Sequence, residues 1–197
     1  MTGLQGATVG WALCGSHHTL GRVLPVLEEV ARTATVIPVI SPTIASTQTQ
    51  YGDPAQWMGR ITAAAGRPPL GSIPEVEPFG PGRVLDVLII APCTGTSLAK
   101  MANAISDTPP LMAAKAQLRN GRPVVLGITT NDALGMNAMN LGRLLACRNI
   151  YFVPFGQDNP AYKPRSLDAH LELVAPTLEH ALRHEQIQPI LQEWRRA

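Results

Sequence analysis

Short apolar runs separated by longer amphipathic stretches set the pattern of this chain. The runs cover residues 8–13, 36–40, 84–90, 123–128 and 150–153, each bounded by Gly, Pro, Ser, Thr or Asn and most of them β-branched. Such runs suit parallel strands buried on both faces. Pro38, inside the second run, lacks a backbone donor and moves that strand to an edge or makes it irregular. Helical spacing recurs between the runs, over residues 20–33, 54–65, 97–105, 110–119 and 139–147. Strand alternating with helix predicts an α/β protein with a three-layer, Rossmann-like open parallel sheet and helices on both faces.

Five strands in this arrangement suit a flavodoxin-like order. Residues 66–82 carry five prolines and four glycines and predict an irregular excursion. A last long helical pattern covers residues 167–184, with Leu171, Val174, Leu178 and Leu182 on one face and Pro176 bending or splitting it. Beyond it, Ile187, Ile190, Leu191 and Trp194 recur at helical spacing, which suits docking on another chain or on their own domain. Pro189 then requires that helix to start close by. With no repeat and no low-complexity linker, residues 1–197 read as a single domain.

Composition narrows the function classes. Apolar residues make up 45% and charged residues 15%, which excludes a disordered chain. A net charge of +2, with no basic cluster, argues against nucleic acid. No apolar run approaches the ~20 residues that span a bilayer. Residues 1–16 lack the basic region that precedes the apolar run of a secretory signal. Cys14, Cys93 and Cys147 are odd in number and far apart, so neither a disulfide framework nor a metal site is expected. The expectation is a cytoplasmic globular protein.

The chemistry should collect where strands end, because open α/β sheets bind ligands beyond the carboxyl ends of their strands. The most informative tract is residues 84–103, VLDVLIIAPCTGTSLAKMAN. Its apolar run stops at Pro92, and Thr94, Gly95, Thr96 and Ser97 precede a new helical pattern. A helix start presents unpaired N–H groups and the positive end of a dipole, so hydroxyls and a glycine there suit an anion or a flat polar ring. Gly15, Ser16, His17, His18 and Thr19 follow the first strand, and Ser41 and Thr43 follow the second. Thr130, Asn131 and Asp132 follow the fourth and lead into Gly135, Asn137 and Asn140. Amides such as Asn131, Asn137 and Asn140 can read the donor and acceptor edge of a ring. The alternative is a plain helix cap for the hydroxyl and amide residues, and an ordinary exposed polar position for His17 and His18.

Together these edges resemble the FMN-binding flavoproteins that include the cysteine decarboxylases and the flavin prenyltransferases. Residues 8–16 are similar to that family's first strand and phosphate loop, and Ser41 to the serine that reaches the phosphate. Residues 92–99 are close to the tract that cradles the flavin. The likeness is closer to one branch, the B subunits of dipicolinate synthases. It runs through TQTQYGD (residues 47–53), residues 107–135, RNIYFVPFGQDNP (148–160) and LEHALRHEQIQPIL (178–191).

The resemblance implies FMN, or a fold that kept the flavoprotein form without it, held by Gly15, Ser16, Ser41, Thr43, Thr94, Gly95, Thr96, Ser97, Thr130 and Asn131. It implies a partner, the A subunit of dipicolinate synthase, with NAD(P) on that partner and an oligomeric assembly. The reaction it implies is oxidation of dihydrodipicolinate to dipicolinate in the mother cell of a spore-forming bacterium. Aromatising a dihydropyridine removes a hydride and a proton, so a base is needed, and His17 is the candidate. A dicarboxylate calls for cations, for which Lys163 and Arg165 on a proline-flanked loop are the candidates, with Lys100, Lys115 and Arg143 as others. The chain departs from the decarboxylases, which carry an asparagine in the flavin-cradling tract where this chain has Thr96, and a histidine shortly before the third strand where residues 66–86 have none. An independent FMN decarboxylase and a non-catalytic protein that activates its partner remain the alternatives.

Overall fold

The computed structural model describes residues 3–193. Strand β1 (Thr8–Leu13) leads through helix α1 (His17–Ala31) to strand β2 (Thr35–Ile40). Helices α2 (Pro42–Ser46) and α3 (Pro54–Ala65) follow, then one-turn helices α4 (Ile73–Val76) and α5 (Phe79–Gly82) inside the proline-rich excursion. Strand β3 (Val87–Cys93), helices α6 (Gly95–Ala102) and α7 (Pro109–Arg119) and strand β4 (Val124–Thr130) come next. Helix α8 (Ala138–Leu145) leads to strand β5 (Ile150–Phe152), the short strands β6 (Phe155–Gly156) and β7 (Leu167–Ala169), and helix α9 (Val174–Leu182).

The parallel part of the sheet has the order β2-β1-β3-β4-β5, the flavodoxin-like order. Strand β7 pairs antiparallel with the end of β4, and β6 pairs antiparallel with β7. The apolar runs resolve into two faces with period two. Val9, Trp11, Leu13, Val87, Ile89 and Val125 pack with α1, α3 and α9. Ala12, Leu88, Ile90, Val124, Leu126 and Ile128 pack towards α6, α7 and α8. Covering both faces is what lets these strands be apolar throughout.

Strand β2 lies at the edge, one of the two positions that Pro38 allows. The outer side of β2 meets Leu70, whose N–H donates to the Pro38 carbonyl at 2.9 Å while Ile40 N–H donates to the Leu70 carbonyl at 2.9 Å. The missing Pro38 donor therefore costs no bond to β1.

Two expectations need correction at the end of the chain. The pattern over residues 167–184 is not one helix: its start is β7, a 3-10 turn covers Leu171–Leu173, and only α9 is α-helical. Leu167 and Ala169 are buried with Asp168 less so, a strand alternation that the longer helical spacing conceals. Pro176 falls in the first turn of α9 and neither bends nor splits it. The second correction concerns Ile187, Ile190 and Leu191, which form no helix. Leu191 pairs in parallel with Phe155, whose N–H donates to Ile190 O at 3.0 Å and whose carbonyl accepts from Gln192 N at 2.9 Å. Gly156 makes room for this strap, since a Cβ there would meet Gln192 O at 2.7 Å. Ile190 packs against the core while Leu191 is exposed. Trp194 lies outside the described residues.

Gln186 closes the free edge of β5. Its side-chain amide accepts from Phe152 N and donates to Phe152 O, both at 2.8 Å, in the manner of a neighbouring strand. Replacing Gln186 with Ala leaves both backbone groups of a buried residue unpaired and should lower stability by about 2 kcal/mol. Thermal or urea unfolding checks this, and an unchanged midpoint would mean that water replaces the amide.

Candidate functional site

A cleft of about 430 Å³ opens beyond the carboxyl ends of β1, β3 and β4. Gly15, Ser16 and His17 line it from the first strand end, Thr94 and Gly95 from the third, and Thr129, Thr130 and Asn131 from the fourth. The loop after α2 adds Thr49, Gln50 and Tyr51, with the Tyr51 ring 6.1 Å from that of His18. A larger groove of about 880 Å³ lies between Arg22, β7 and the terminal strap. Several of its charges satisfy one another, as in Arg22–Asp168 at 2.7 Å and His170–Glu172 at 3.1 Å. The smaller cleft has the unsatisfied chemistry.

At the first strand end Ser16 is the N-cap residue of α1, a 15-residue helix with no acidic residue in its first turn. Its hydroxyl lies 2.9 Å from Thr19 Oγ1 and 3.4 Å from His18 Nδ1. Ser41 N donates to Leu13 O at 3.0 Å, which brings the second strand end against the first. A Cβ on Gly15 would meet Thr43 Cγ2 at 2.7 Å, so glycine lets the two loops touch. Ser41 Oγ and His17 Nε2 are buried without a partner among the described residues. Two unpaired polar atoms beside the positive end of a long helix suit an anion. Burial pushes the His17 imidazole below its ordinary value of 6.5, which favours the neutral, proton-accepting form.

At the third strand end Thr94 caps α6, its hydroxyl accepting from Ser97 N at 3.3 Å and lying 3.1 Å from Ser97 Oγ. Thr96 is exposed and, like Ser97, Ser41 and Thr43, does not line the cleft. Beneath these loops, burial pushes the Cys14 thiol up to about 11, opposed by a bond with Ser97, and burial and then Cys14 raise Cys93. Both thiols are therefore inert.

At the fourth strand end Thr130 donates to Asp132 at 2.5 Å, and Asn137 donates to the other oxygen of Asp132 at 2.8 Å. A Cβ on Gly95 would meet Thr130 Oγ1 at 2.5 Å and both Asn137 and Asp132 at 2.8 Å. The glycine of the third loop thus makes space for the polar groups of the fourth.

The candidate cations stand apart from the cleft. Lys163 pairs with Asp158 at 3.2 Å, and Arg165, whose carbonyl accepts from Leu134 N at 2.9 Å, stacks its side chain against Gly135. No lysine or arginine among the described residues lines the cleft. Thr49, Gln50 and Tyr51 were not legible as site residues because they follow no strand. Asp132 was visible only as one polar residue in a polar tract.

The sequence profile of the flavoprotein family matches residues 2–161. The B subunit of dipicolinate synthase from Bacillus subtilis (strain 168) is 50% identical over 194 residues, spanning 98% of this chain and 97% of that protein. The crystal structure of the corresponding B subunit from Bacillus halodurans matches with a TM-score of 0.89 and 49% identity, covering 96% of this chain and 98% of the other. An FMN-dependent cysteine decarboxylase, SpaF, shares the fold alone, at a TM-score of 0.63 and 19% identity over 91% of this chain and 98% of its own.

The state of His17 gives a direct test of the anion-binding end. Proton NMR should find its midpoint below 6.5 in the folded protein. Between that midpoint and the unfolded value the unfolded chain holds more protons, so this contribution to stability is lost as pH falls below about 6.5. Added inorganic phosphate should raise the midpoint, because a nearby negative charge favours the imidazolium. A midpoint indifferent to phosphate would remove His17 from an anion site.

Proposed function

The chain belongs to the flavoprotein family, in the branch of the dipicolinate synthase B subunits, and from that membership we propose that it binds FMN in the β1/β3 cleft and oxidises dihydrodipicolinate to dipicolinate together with the A subunit of such a synthase. The residues present fit the cofactor. Ser16, the orphaned Ser41 hydroxyl and the α1 N-terminus suit the phosphate, with Gly15 and Thr43 packed beside them. Thr94, Gly95, Thr130 and Asn131 offer a polar wall to the ring, with Thr96 and Ser97 behind in α6. The cleft volume lies within the usual range for small-molecule sites. When bound, FMN supplies a hydride acceptor.

His17 is the proton acceptor in this reading. It lines the cleft and burial favours its neutral form; with Nε2–H donated to the phosphate, Nδ1 is the nitrogen left to accept the proton. Lys163 and Arg165 bind the substrate only if their loop moves toward the cleft, since Lys163 is paired with Asp158. The observation that carries the two-subunit reading is the absence of lysine and arginine from the cleft lining among the described residues. Two carboxylates need cationic partners, and the partner protein, which holds NAD(P) in this reading, supplies them. The setting is the mother-cell cytoplasm of a spore-forming bacterium. No helix among the described residues is long and apolar enough to cross a membrane.

Two experiments test this. Ser16→Asp sets a charge against the phosphate, yet aspartate caps a helix as well as serine does, so the fold should persist by circular dichroism. FMN affinity should fall about tenfold or more. Unchanged flavin content would move the phosphate elsewhere. Separately, dihydrodipicolinate and nicotinamide cofactor should yield little dipicolinate with this chain alone and much more once the partner protein is added. Full turnover by this chain alone would overturn the two-subunit account.

A further inference from the structure

A chain of side-chain hydrogen bonds runs from the protein surface to Asp132 beside the cleft, and every donor from Arg143 to Asn137 points toward that carboxylate. Arg143 Nη1 donates to Asn103 Oδ1 at 3.0 Å, and Asn103 Nδ2 donates to Asn140 Oδ1 at 3.3 Å and to the Ala99 carbonyl at 2.8 Å. Asn140 Nδ2 donates to Asn137 Oδ1 at 2.9 Å, and Asn137 Nδ2 donates to Asp132 Oδ2 at 2.8 Å. From the opposite side Thr130 Oγ1 meets Asp132 Oδ1 at 2.5 Å. The direction is dictated by the ends. A guanidinium only donates and a carboxylate only accepts, so each amide between them is held in one orientation.

The consequence falls on Thr130. A hydroxyl has one hydrogen, and the carboxylate can do nothing with it but accept it. Thr130 lines the cleft, and toward the cleft it has only lone pairs left. Gly95 and the buried Asn137 hold this trio in place, since Gly95 leaves no room for a side chain of its own.

We propose that Asp132 is a positioning residue that commits the Thr130 hydroxyl hydrogen, so that Thr130 reads a ring N–H donor of the cleft ligand and rejects a ring acceptor at that point. The proposal rests on the flavin reading above. Oxidised flavin has one ring N–H, the imide between its two carbonyls, whereas ribityl hydroxyls rotate and satisfy either polarity. Only the imide is sensitive to the direction that Asp132 sets.

The test compares FMN with its N3-methyl derivative by fluorescence titration of the wild-type chain, Asp132→Asn and Thr130→Val. An asparagine at 132 accepts from Asn137 with its oxygen and donates to Thr130 with its nitrogen, which turns the Thr130 hydrogen into the cleft with almost no change of shape. The wild-type chain should prefer FMN by about tenfold, the scale of one satisfied hydrogen bond. In Asp132→Asn, FMN should weaken about tenfold while the methylated flavin is unchanged, so the preference disappears. Thr130→Val removes the acceptor and should abolish the preference even if the first variant is poorly folded. Variants that weaken both flavins equally, or keep the wild-type preference, would show a structural role only and overturn the proposal. A wild-type chain that binds neither flavin would overturn the flavin reading itself, a result seen before any variant is made.

Discussion

Strands β1 and β3 lie side by side and parallel, paired from Val9 with Val87 to Ala12 with Ile90, yet the chain leaves them toward opposite layers. Helix α1 packs with the face formed by Val9, Trp11 and Leu13, whereas α6 and α7 pack on the face formed by Leu88 and Ile90. Two adjacent strands whose continuations diverge must leave a crevice at their carboxyl ends. The end of β3 is irregular there. Pro92 has no N–H to give β4, and the β3–β4 register shifts between Ile90 and Cys93. The Trp11 indole turns this to use, donating to the Ala91 carbonyl at 2.9 Å inside the core. Helix starts, hydroxyl loops and the cleft all follow from that divergence.

What the loops put into the crevice is decided by close packing between them. Gly15 is small because Thr43 lies against it, and Gly95 is small because Thr130, Asp132 and Asn137 occupy the space a side chain would need. Either glycine could have been read as making way for a ligand. In this fold both first make way for protein, and the polar groups so gathered then face the cleft. The site is therefore a property of contacts between strand ends, and no single loop carries it.

That distinction explains what was legible. All five parallel strands and five of the eight helices between them (α1, α3, α6, α7 and α8) follow from apolar runs and helical spacing, because burial on two faces and on one stripe leaves different periods. Pro38 marked β2 as an edge or an irregular strand, and of the two it is the edge. The region from Leu167 to Leu191 misled because its apolar residues carry helical spacing while their backbone answers to distant partners. Leu167 pairs with Thr130, and Leu191 with Phe155. Those pairings join segments remote in sequence, and tertiary contact overrides local pattern there. Ser16, Thr94 and Thr130 were legible as residues at strand ends. The Asp132 link was not, because a hydrogen-bond direction depends on both ends of a chain that runs through Asn103, just past the end of α6, and Arg143 on α8.

The free protein retains a cost that a ligand can remove. His17 Nε2 and Ser41 Oγ are buried and unpaired, and each such atom carries a penalty of about 1–3 kcal/mol. Folded proteins seldom keep two such atoms this close to one helix start unless something satisfies them. At the α1 N-terminus an anion brings several acceptor oxygens at once. Ligand binding then adds to stability through the folded state alone, since the unfolded chain has no such site. The same geometry limits what this end can hold. A serine hydroxyl, an imidazole and backbone N–H groups favour one compact anion, and the missing cations leave a second, carboxylate-rich molecule dependent on charge brought from elsewhere.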